Sequence, residues 1–286
     1  MQAIAKDIYI EDQYPGVTLG AIPLTHGLIQ VDSPPFSEDG RSWRAALLNL
    51  GGGPERLLIN LDAHPDRTLG DRAMDCTVAA HEKTAQIFRT RPTTFKAQGE
   101  ETGADWESIP GLGNIRWVPP ELTFSNQMTI HWGDFPILIE HHPGPSAGAC
   151  WVVIPDARVV FVGDTVVANQ PPFFAGADIP AWLETLKLLL TPAYRDWSLV
   201  SGRGGVVNVE AVRAQRDYIE GVQHKLEKLA HKKSAPEALE SLIAPLLGSF
   251  KVPASLQGKY TRRLRYGLSH YYSRHYHPTS NTAGEE

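Results

Sequence analysis

Cysteine is nearly absent from this 286-residue chain. Its two copies, Cys76 and Cys150, are too few for a disulfide scaffold and have no metal or redox spacing. Cys150 falls inside the apolar run Ala149 to Ile154 and reads as a buried thiol. Long hydrophobic runs are missing as well. No stretch reaches the roughly 18 apolar residues needed to span a bilayer, and Leu183 to Leu190 is interrupted by Glu184 and Lys187. The first residues lack the charged-then-apolar pattern of a secretion signal. These absences set aside a secreted disulfide protein and a helical membrane protein, and leave a cytoplasmic one as the expectation. No nucleophile elbow, phosphate-binding loop or Cys–His pairing occurs either.

What remains is ordinary globular composition, 42% hydrophobic and 21% charged, enough for one large domain or two small ones. The formal net charge of −5 is unevenly spread. From Val222 to Pro278 ten Lys and Arg stand against three Glu, so the rest of the chain carries the acidic excess. Such a basic segment can meet nucleic acid; the commoner outcome is that it neutralises the body it packs on.

Taken in order, the chain opens with short strands at Ile8 to Ile10, Val17 to Leu19 and Gly27 to Val31, the last running into Asp32 and Ser33-Pro34-Pro35. Trp43, Ala46, Leu47 and Leu50 have helical spacing, and Gly51-Gly52-Gly53-Pro54 ends that helix. Short helices at Asp71 to Met74 and His81 to Arg91 flank a strand at Thr77 to Ala80. Ala97 to Gly113 is polar and reads as a surface loop. Strand character returns at Leu122 to His131, Phe135 to Glu140, Ala149 to Ile154 and Val159 to Val162, the last ending in Gly163-Asp164-Thr165. Asp178 caps a helix with Pro180 in its first turn. Ser198 to Ser201 forms a strand leading into Gly202-Arg203-Gly204-Gly205, and Asn208 caps a helix from Val209 to Lys232. Pro236 to Leu247 and Tyr260 to Tyr276 are further helices, and His277 to Glu286 reads as a disordered tail. Two β-rich halves separated by helices predict an α/β (α+β) protein: a four-layer αββα sandwich of two mixed sheets over residues 1–207, a helical extension over 208–276 packed on it, and the tail 277–286.

The stretch most loaded with chemistry is Ile59 to Gly70. An apolar run ends in Asp62, His64, Asp66 and Arg67, the form of a buried strand delivering proton-active groups to a site. His64 is a candidate general base, oriented by Asp66 or Asp164.

This Asp-x-His-x-Asp-Arg spacing resembles the His-x-His-x-Asp-His signature of the metallo-β-lactamase superfamily. Four other places, in the same order, resemble that superfamily: Asp32 at the end of an early strand, His142 to Gly148, Val162 to Thr165, and Gly202 to Gly205 before a long helix. The resemblance implies the αββα fold and a site for one or two metal ions. Its seven ligand positions fall on Asp62, His64, Asp66, Arg67, Pro145, Asp164 and Arg203. Three of these keep the family residue, whereas guanidinium offers only donors and proline has no side-chain lone pair. One arginine about 5 Å from a divalent ion is repelled by roughly 6 kcal/mol at an effective dielectric of about 20.

The sequence-based expectation is therefore a site without metal or other cofactor, in which Arg67 and Arg203 pair with Asp62, Asp66 and Asp164. His141 and His142 line the same pocket, and its ligand is a small molecule. On this reading the protein is a binding or regulatory module, or performs metal-independent chemistry. Two alternatives stand beside it. Asp62, His64, His142 and Asp164 together form a mixed set for one zinc, iron or manganese ion in a hydrolase of an ester, thioester or lactone. The basic C-terminal helices, with their aromatics, allow a nucleic-acid-binding relative, with nucleic acid the less expected partner. No membrane contact is expected, and a homo-oligomer is open.

Overall fold

Residues 1–96 and 99–276 are described by the computed structural model. Strands β1 (Gln2–Ala5), β2 (Ile8–Glu11), β3 (Leu19–Pro23) and β4 (Gly27–Val31) form an antiparallel meander. Helix α1 (Ser37–Leu47) then carries the chain to β5 (Glu55–Ile59), which pairs parallel to β4. Two single-turn helices, α2 (Pro65–Thr68) and α3 (Asp71–Met74), precede β6 (Thr77–His81) and α4 (Glu82–Thr90). A two-stranded ribbon, β7 (Thr94–Lys96) with β8 (Gly113–Arg116), stands apart, and β9 (Leu122–Phe124) completes a seven-stranded sheet beside β6.

The second sheet has six strands in chain order: β10 (Gln127–Ile130), β11 (Ile137–His141), β12 (Cys150–Ile154), β13 (Val159–Val167), β14 (Ser198–Arg203) and β15 (Val206–Val207). Only β13 and β14 pair parallel, and α5 (Ile179–Leu189) makes the crossover between them. Helices α6 (Val209–His231), α7 (Glu240–Leu247) and α8 (Ala254–Tyr276) close the described chain.

Side-chain alternation assigns the layers. Ile29, Val31, Leu57 and Ile59 from the first sheet meet Ile139, Val152, Phe161 and Val200 from the second in one buried cluster. On the outer face of the first sheet, Leu19, Leu28, Leu58 and Val78 pack on Trp43 and Leu47 of α1 and Met74 of α3. On the outer face of the second, Trp151, Val153, Val160 and Val162 share a cluster with residues of α5, α6, α7 and α8. Every residue of β13 is buried, as a strand covered on both faces requires. The order is helix, sheet, sheet, helix, the predicted four-layer sandwich, and the helices after residue 208 share the core of the second sheet.

Several local expectations shift. The run Leu122 to His131 is not one strand: it divides at Ser125-Asn126, β9 joining the first sheet and β10 the second. Ser125 and Asn126 can break because their carbonyls find partners in the His81 ring and the His141 backbone N–H. The expected strand at Val17 to Leu19 begins at Leu19, and β1 ahead of it carried too little pattern to be seen. Gly163-Asp164-Thr165 lies within β13, where Gly163 adopts φ +55 and the pairing with β14 becomes irregular. Helix α8 starts at Ala254 and not at Tyr260. Of Ala97 to Gly113, residues 97 and 98 lie outside the described part, and so does the tail His277 to Glu286 expected to be disordered.

Phe161 tests the packing between the sheets. It is 1% exposed, and a Cβ at Gly20 would come within 2.5 Å of its ring, so glycine there makes the room. Phe161→Ala is expected to lower unfolding stability by about 3–5 kcal/mol, as large-to-small changes of buried aromatics do. Urea denaturation followed by tryptophan fluorescence measures it, and a loss below about 1 kcal/mol would contradict a shared core between the sheets.

Candidate functional site

The loop after β5 leaves the first sheet between the two layers, and its short polar residues order it locally. Asp62 accepts the backbone N–H of His64 at 2.7 Å, and the His64 ring caps α2 by accepting the N–H of Asp66 at 3.3 Å. Proline at the first position of α2 suits a helix start. These contacts turn Arg67 inward, where its side chain is wholly buried.

Three carboxylates surround that guanidinium. Its Nη1 donates to Asp32 at 2.8 Å, its Nε lies 3.0 Å from Asp62, and its Nη2 donates to Asp164. Arg203, at the end of β14, reaches Asp164 from the other side with contacts of 3.2 Å from Nε and Nη2. Its Nη1 donates to Asp66 at 2.7 Å and to Asp105 at 3.1 Å. Asp105 in turn holds Lys259 at 2.7 Å and Arg263 at 3.2 Å, both from α8. Five carboxylates and four cations thus alternate from the loop after β4 to the last helix. Close approach at the centre depends on Gly202, where a Cβ would come within 2.5 Å of the Asp164 carboxylate.

Burial and pairing set the charges. Burial opposes ionisation of Asp164, but Arg203 and Arg67 outweigh it and hold the carboxyl well below the usual range. Asp105 also ends below it, since Arg203 and Arg263 overcome its burial. At Asp32 burial prevails over Arg67 and pushes the carboxyl up to about 7. His64 is driven far below its ordinary value by burial and then by Arg203, so its ring is neutral. Arg203 Nη2 lies 3.1 Å from His64 Nδ1, and both Arg203 and the Asp66 N–H can only donate. Nδ1 is therefore the acceptor and the ring proton sits on Nε2. In this arrangement the Nδ1 lone pair of His64, the expected general base, is engaged by N–H donors, and the ring offers Nε2–H.

Beside this lattice lies a cavity of about 290 Å³. Asp62, His64, Arg91, Ser146, Asp164 and Arg263 line it, and Trp106, Phe173, Phe174 and Trp182 supply aromatic walls. The Phe173 ring is held between the guanidinium groups of Arg203, at 4.6 Å, and Arg263, at 4.1 Å, with the His64 ring at 4.5 Å.

Of the expected site residues, Asp62, His64, Asp66, Arg67, Asp164 and Arg203 come together, and Pro145 lines the cavity. His141 and His142 do not join them. His141 stacks on His81 at 3.7 Å and contacts the Ala147 carbonyl; His142 stacks on Trp151 at 3.7 Å and meets Glu140 at 3.2 Å. Neither lines the cavity. The alternative ion set of Asp62, His64, His142 and Asp164 is thereby taken apart, because His142 is spent on Trp151 and Glu140.

Sequence reading missed Asp105, Lys259, Arg263, Arg91 and Phe173. The stretch read as a surface loop delivers Asp105 and the buried Trp106, whose backbone N–H donates to Asp66 at 2.6 Å. A tryptophan in an otherwise polar loop was the available signal. Arg263 shares the inward face of α8 with Tyr260, Leu264 and Leu268, a position that helical spacing does mark.

The residues present do not fit the ions that the resemblance implies. The oxygens of Asp66 and Asp164 and the Nδ1 of His64 face guanidinium N–H groups at hydrogen-bond distance, and a cation at the same oxygens would meet two fixed positive charges. Among the described residues no group of three or more His, Cys, Asp or Glu is arranged to hold a metal.

Residues 71–199 match the family model of the metallo-beta-lactamase superfamily. That match begins just past Gly70, so the loop carrying Asp62, His64, Asp66 and Arg67 lies outside it. No curated protein matches the chain. Among solved structures, the metallo-beta-lactamase from Pontibacter korlensis is 16% identical with a TM-score of 0.61, over 77% of this chain and 97% of that one. The DIM-1 metallo-beta-lactamase exposed to ceftazidime is 14% identical with a TM-score of 0.59, over 77% and 96%. The stereoselective inverting sec-alkylsulfatase from Pseudomonas sp. is 14% identical with a TM-score of 0.66, over 98% of this chain but 50% of its own. This last match takes in the helices after residue 208, and the chain spans half of that enzyme. At such identities the likeness establishes the fold.

Asp32 sets a pH dependence whose sign follows from its raised pKa. An unfolded aspartate ionises near 3.9, so between about pH 4 and 7 the folded chain alone keeps this proton. The associated stability is full below the unfolded pKa and is lost as pH rises through the folded one. Between pH 5 and 8 the stability of the wild type relative to Asp32→Asn is expected to fall by about 3 kcal/mol. Urea denaturation at each pH measures it, and a pH-independent difference would remove Asp32 as the titrating group.

Proposed function

We propose that this chain, a member of the metallo-β-lactamase superfamily, binds a small molecule at a site that holds no metal, with Arg67 and Arg203 in the electrostatic place of the ions. One observation carries this reading: Asp164 is contacted from two sides by buried guanidinium groups. In that arrangement Asp164 keeps its charge and its lone pairs are engaged by guanidinium N–H groups. A small-molecule role is supported by the adjoining cavity, whose aromatic walls and few polar groups match the usual make-up of ligand sites. Its volume of about 290 Å³ is at the small end of such sites, room for roughly ten water-sized units at a share of about 30 Å³ each.

The reading is one of binding more than of acid–base turnover. With Nδ1 occupied, neutral His64 offers the cavity an N–H, and Asp62 and Asp164 are tied to Arg67. Nucleic acid is the weaker partner, because Lys259, Arg262, Arg263 and Arg265 of the basic segment are engaged with Asp105, Glu100 and Glu240. No helix among the described residues is long and apolar enough to cross a membrane, and a cytoplasmic location remains part of the proposal.

Elemental analysis of the full chain, purified without chelator, tests the metal-free site directly. Zinc, iron and manganese are each expected well below one equivalent per chain, and EDTA is expected to leave the thermal midpoint within about 1 °C. One equivalent of any of them, lost to EDTA together with a drop in midpoint, would overturn the reading in favour of a mononuclear hydrolase of an ester, thioester or lactone.

A further inference from the structure

Most of the cations around the cavity have carboxylate partners; the partly buried Arg91 has none within the described part. It follows α4 as that helix's C-cap and lines the cavity. Its Nη2 donates to the Ala63 carbonyl at 2.6 Å, and its guanidinium lies 4.7 Å from the ring centre of Trp117 and 5.2 Å from that of Phe88. Its Nη1 is buried and has no hydrogen-bond partner among the described residues. Arg67, Arg203, Arg263 and Lys259 each have a carboxylate within 3.2 Å, whereas Arg91 forms no ion pair within the described part. Burial lowers its pKa to about 10, with Asp62 opposing, so it stays charged at neutral pH.

A buried charge left unpaired is unfavourable, and an incoming anion would satisfy it. The same cavity holds a second unmet group, the Ser146 hydroxyl, also covered and without a partner among the described residues. The two cavity carboxylates do not repel an anion freely, because Asp62 lies 3.0 Å from Arg67 and Asp164 is shared by Arg67 and Arg203. The rest of the lining selects the body of the ligand: Trp106, Phe173, Phe174 and Trp182 favour a flat aromatic group.

We infer that the cavity takes a small aromatic carboxylate, its anion paired with Arg91 and its ring set among Trp106, Phe173, Phe174 and Trp182. This deepens the binding role proposed above and rests on the cavity being the ligand site. Guanidinium and carboxylate match in geometry; Nη1 holds the unused hydrogens but is covered, so pairing requires the Arg91 side chain to turn its Nη1 edge into the cavity.

Three probes of one shape and different charge test it: 3-phenylpropionate, 3-phenylpropanol and 3-phenylpropylamine, titrated calorimetrically into the full chain at low salt. The acid is expected to bind at least tenfold more tightly than the alcohol, and the amine more weakly than either. Arg91→Gln is expected to cut the acid's affinity at least tenfold and leave the alcohol's within about twofold, while Arg91→Lys keeps most of the acid's advantage. Alcohol binding doubles as the check that each variant's pocket is folded, and the comparison on the unaltered chain decides the charge preference even if Arg91→Gln does not fold. Equal affinities for acid and alcohol, tightest binding of the amine, or an acid advantage that survives Arg91→Gln would overturn the inference and leave the cavity as a ligand site. Binding of none of the three would overturn both.

Discussion

Burying four carboxylates, Asp32, Asp62, Asp66 and Asp164, with a partly buried fifth, Asp105, beside them, is the constraint around which this structure is arranged. Each ion taken out of water costs several kcal/mol even after relaxation, and like charges held together raise that cost further. The chain meets it with guanidinium groups placed between the acids: Arg67 among Asp32, Asp62 and Asp164, and Arg203 among Asp164, Asp66 and Asp105. Because Asp164 belongs to both sets, the two clusters act as one network. Removing Arg67 or Arg203 would take a guanidinium partner from three carboxylates at once.

The members come from distant parts of the chain. Arg203 and Asp66 are 137 positions apart, and Arg263 and Asp105 are 158 apart. The network therefore joins the loop after β5, the middle of β13, the end of β14, the segment after β7 and the last helix. Its floor is rigid because both sheets hold it, while its far wall rests on Phe173, clasped between Arg203 and Arg263. The cavity is formed where this polar floor meets aromatic side chains, so the same contacts that neutralise the acids also shape the space for a ligand.

How much of this the sequence discloses depends on the distance over which each feature is determined. Strand alternation and helix spacing are local, and they place the sheets and most helices; the turn residues after β5 and β14 mark where a site lies. Asp62, Asp66, Arg67, Asp164 and Arg203 could be paired in advance because the resemblance to the metallo-β-lactamase superfamily assigns all five to one site. His141 and His142 misled because a histidine pair at a strand end is attractive chemistry, and only the packing of Trp151 and His81 reveals that both rings are used for stacking. Asp105, Lys259 and Arg263 were hidden for the opposite reason. They sit in a polar loop and a basic helix, and neither pattern says that the loop folds inward over Asp66 or that α8 docks against it. Arg91 carried no local signal at all, since an arginine at a helix end is ordinary.

Why guanidinium can occupy such a place and ammonium cannot follows from shape. A lysine presents one compact charge with three hydrogens on a flexible stem, and it loses its proton readily when buried. Arginine presents five N–H groups in one plane, so Arg203 can face Asp66 and Asp105 with Nη1, Asp164 with Nε, and both Asp164 and His64 with Nη2. A divalent ion gathers lone pairs at a point; a guanidinium spreads its positive charge over several directed contacts. Asp164 and Asp105 are held ionised by their arginines while burial raises Asp32, and the lone pairs of Asp164 and Asp66 are committed to fixed N–H groups, with the imidazole of His64 left as an Nε2–H donor. Such an arrangement sets what the site can offer a bound molecule: directed hydrogen-bond donors over a fixed pattern of charge.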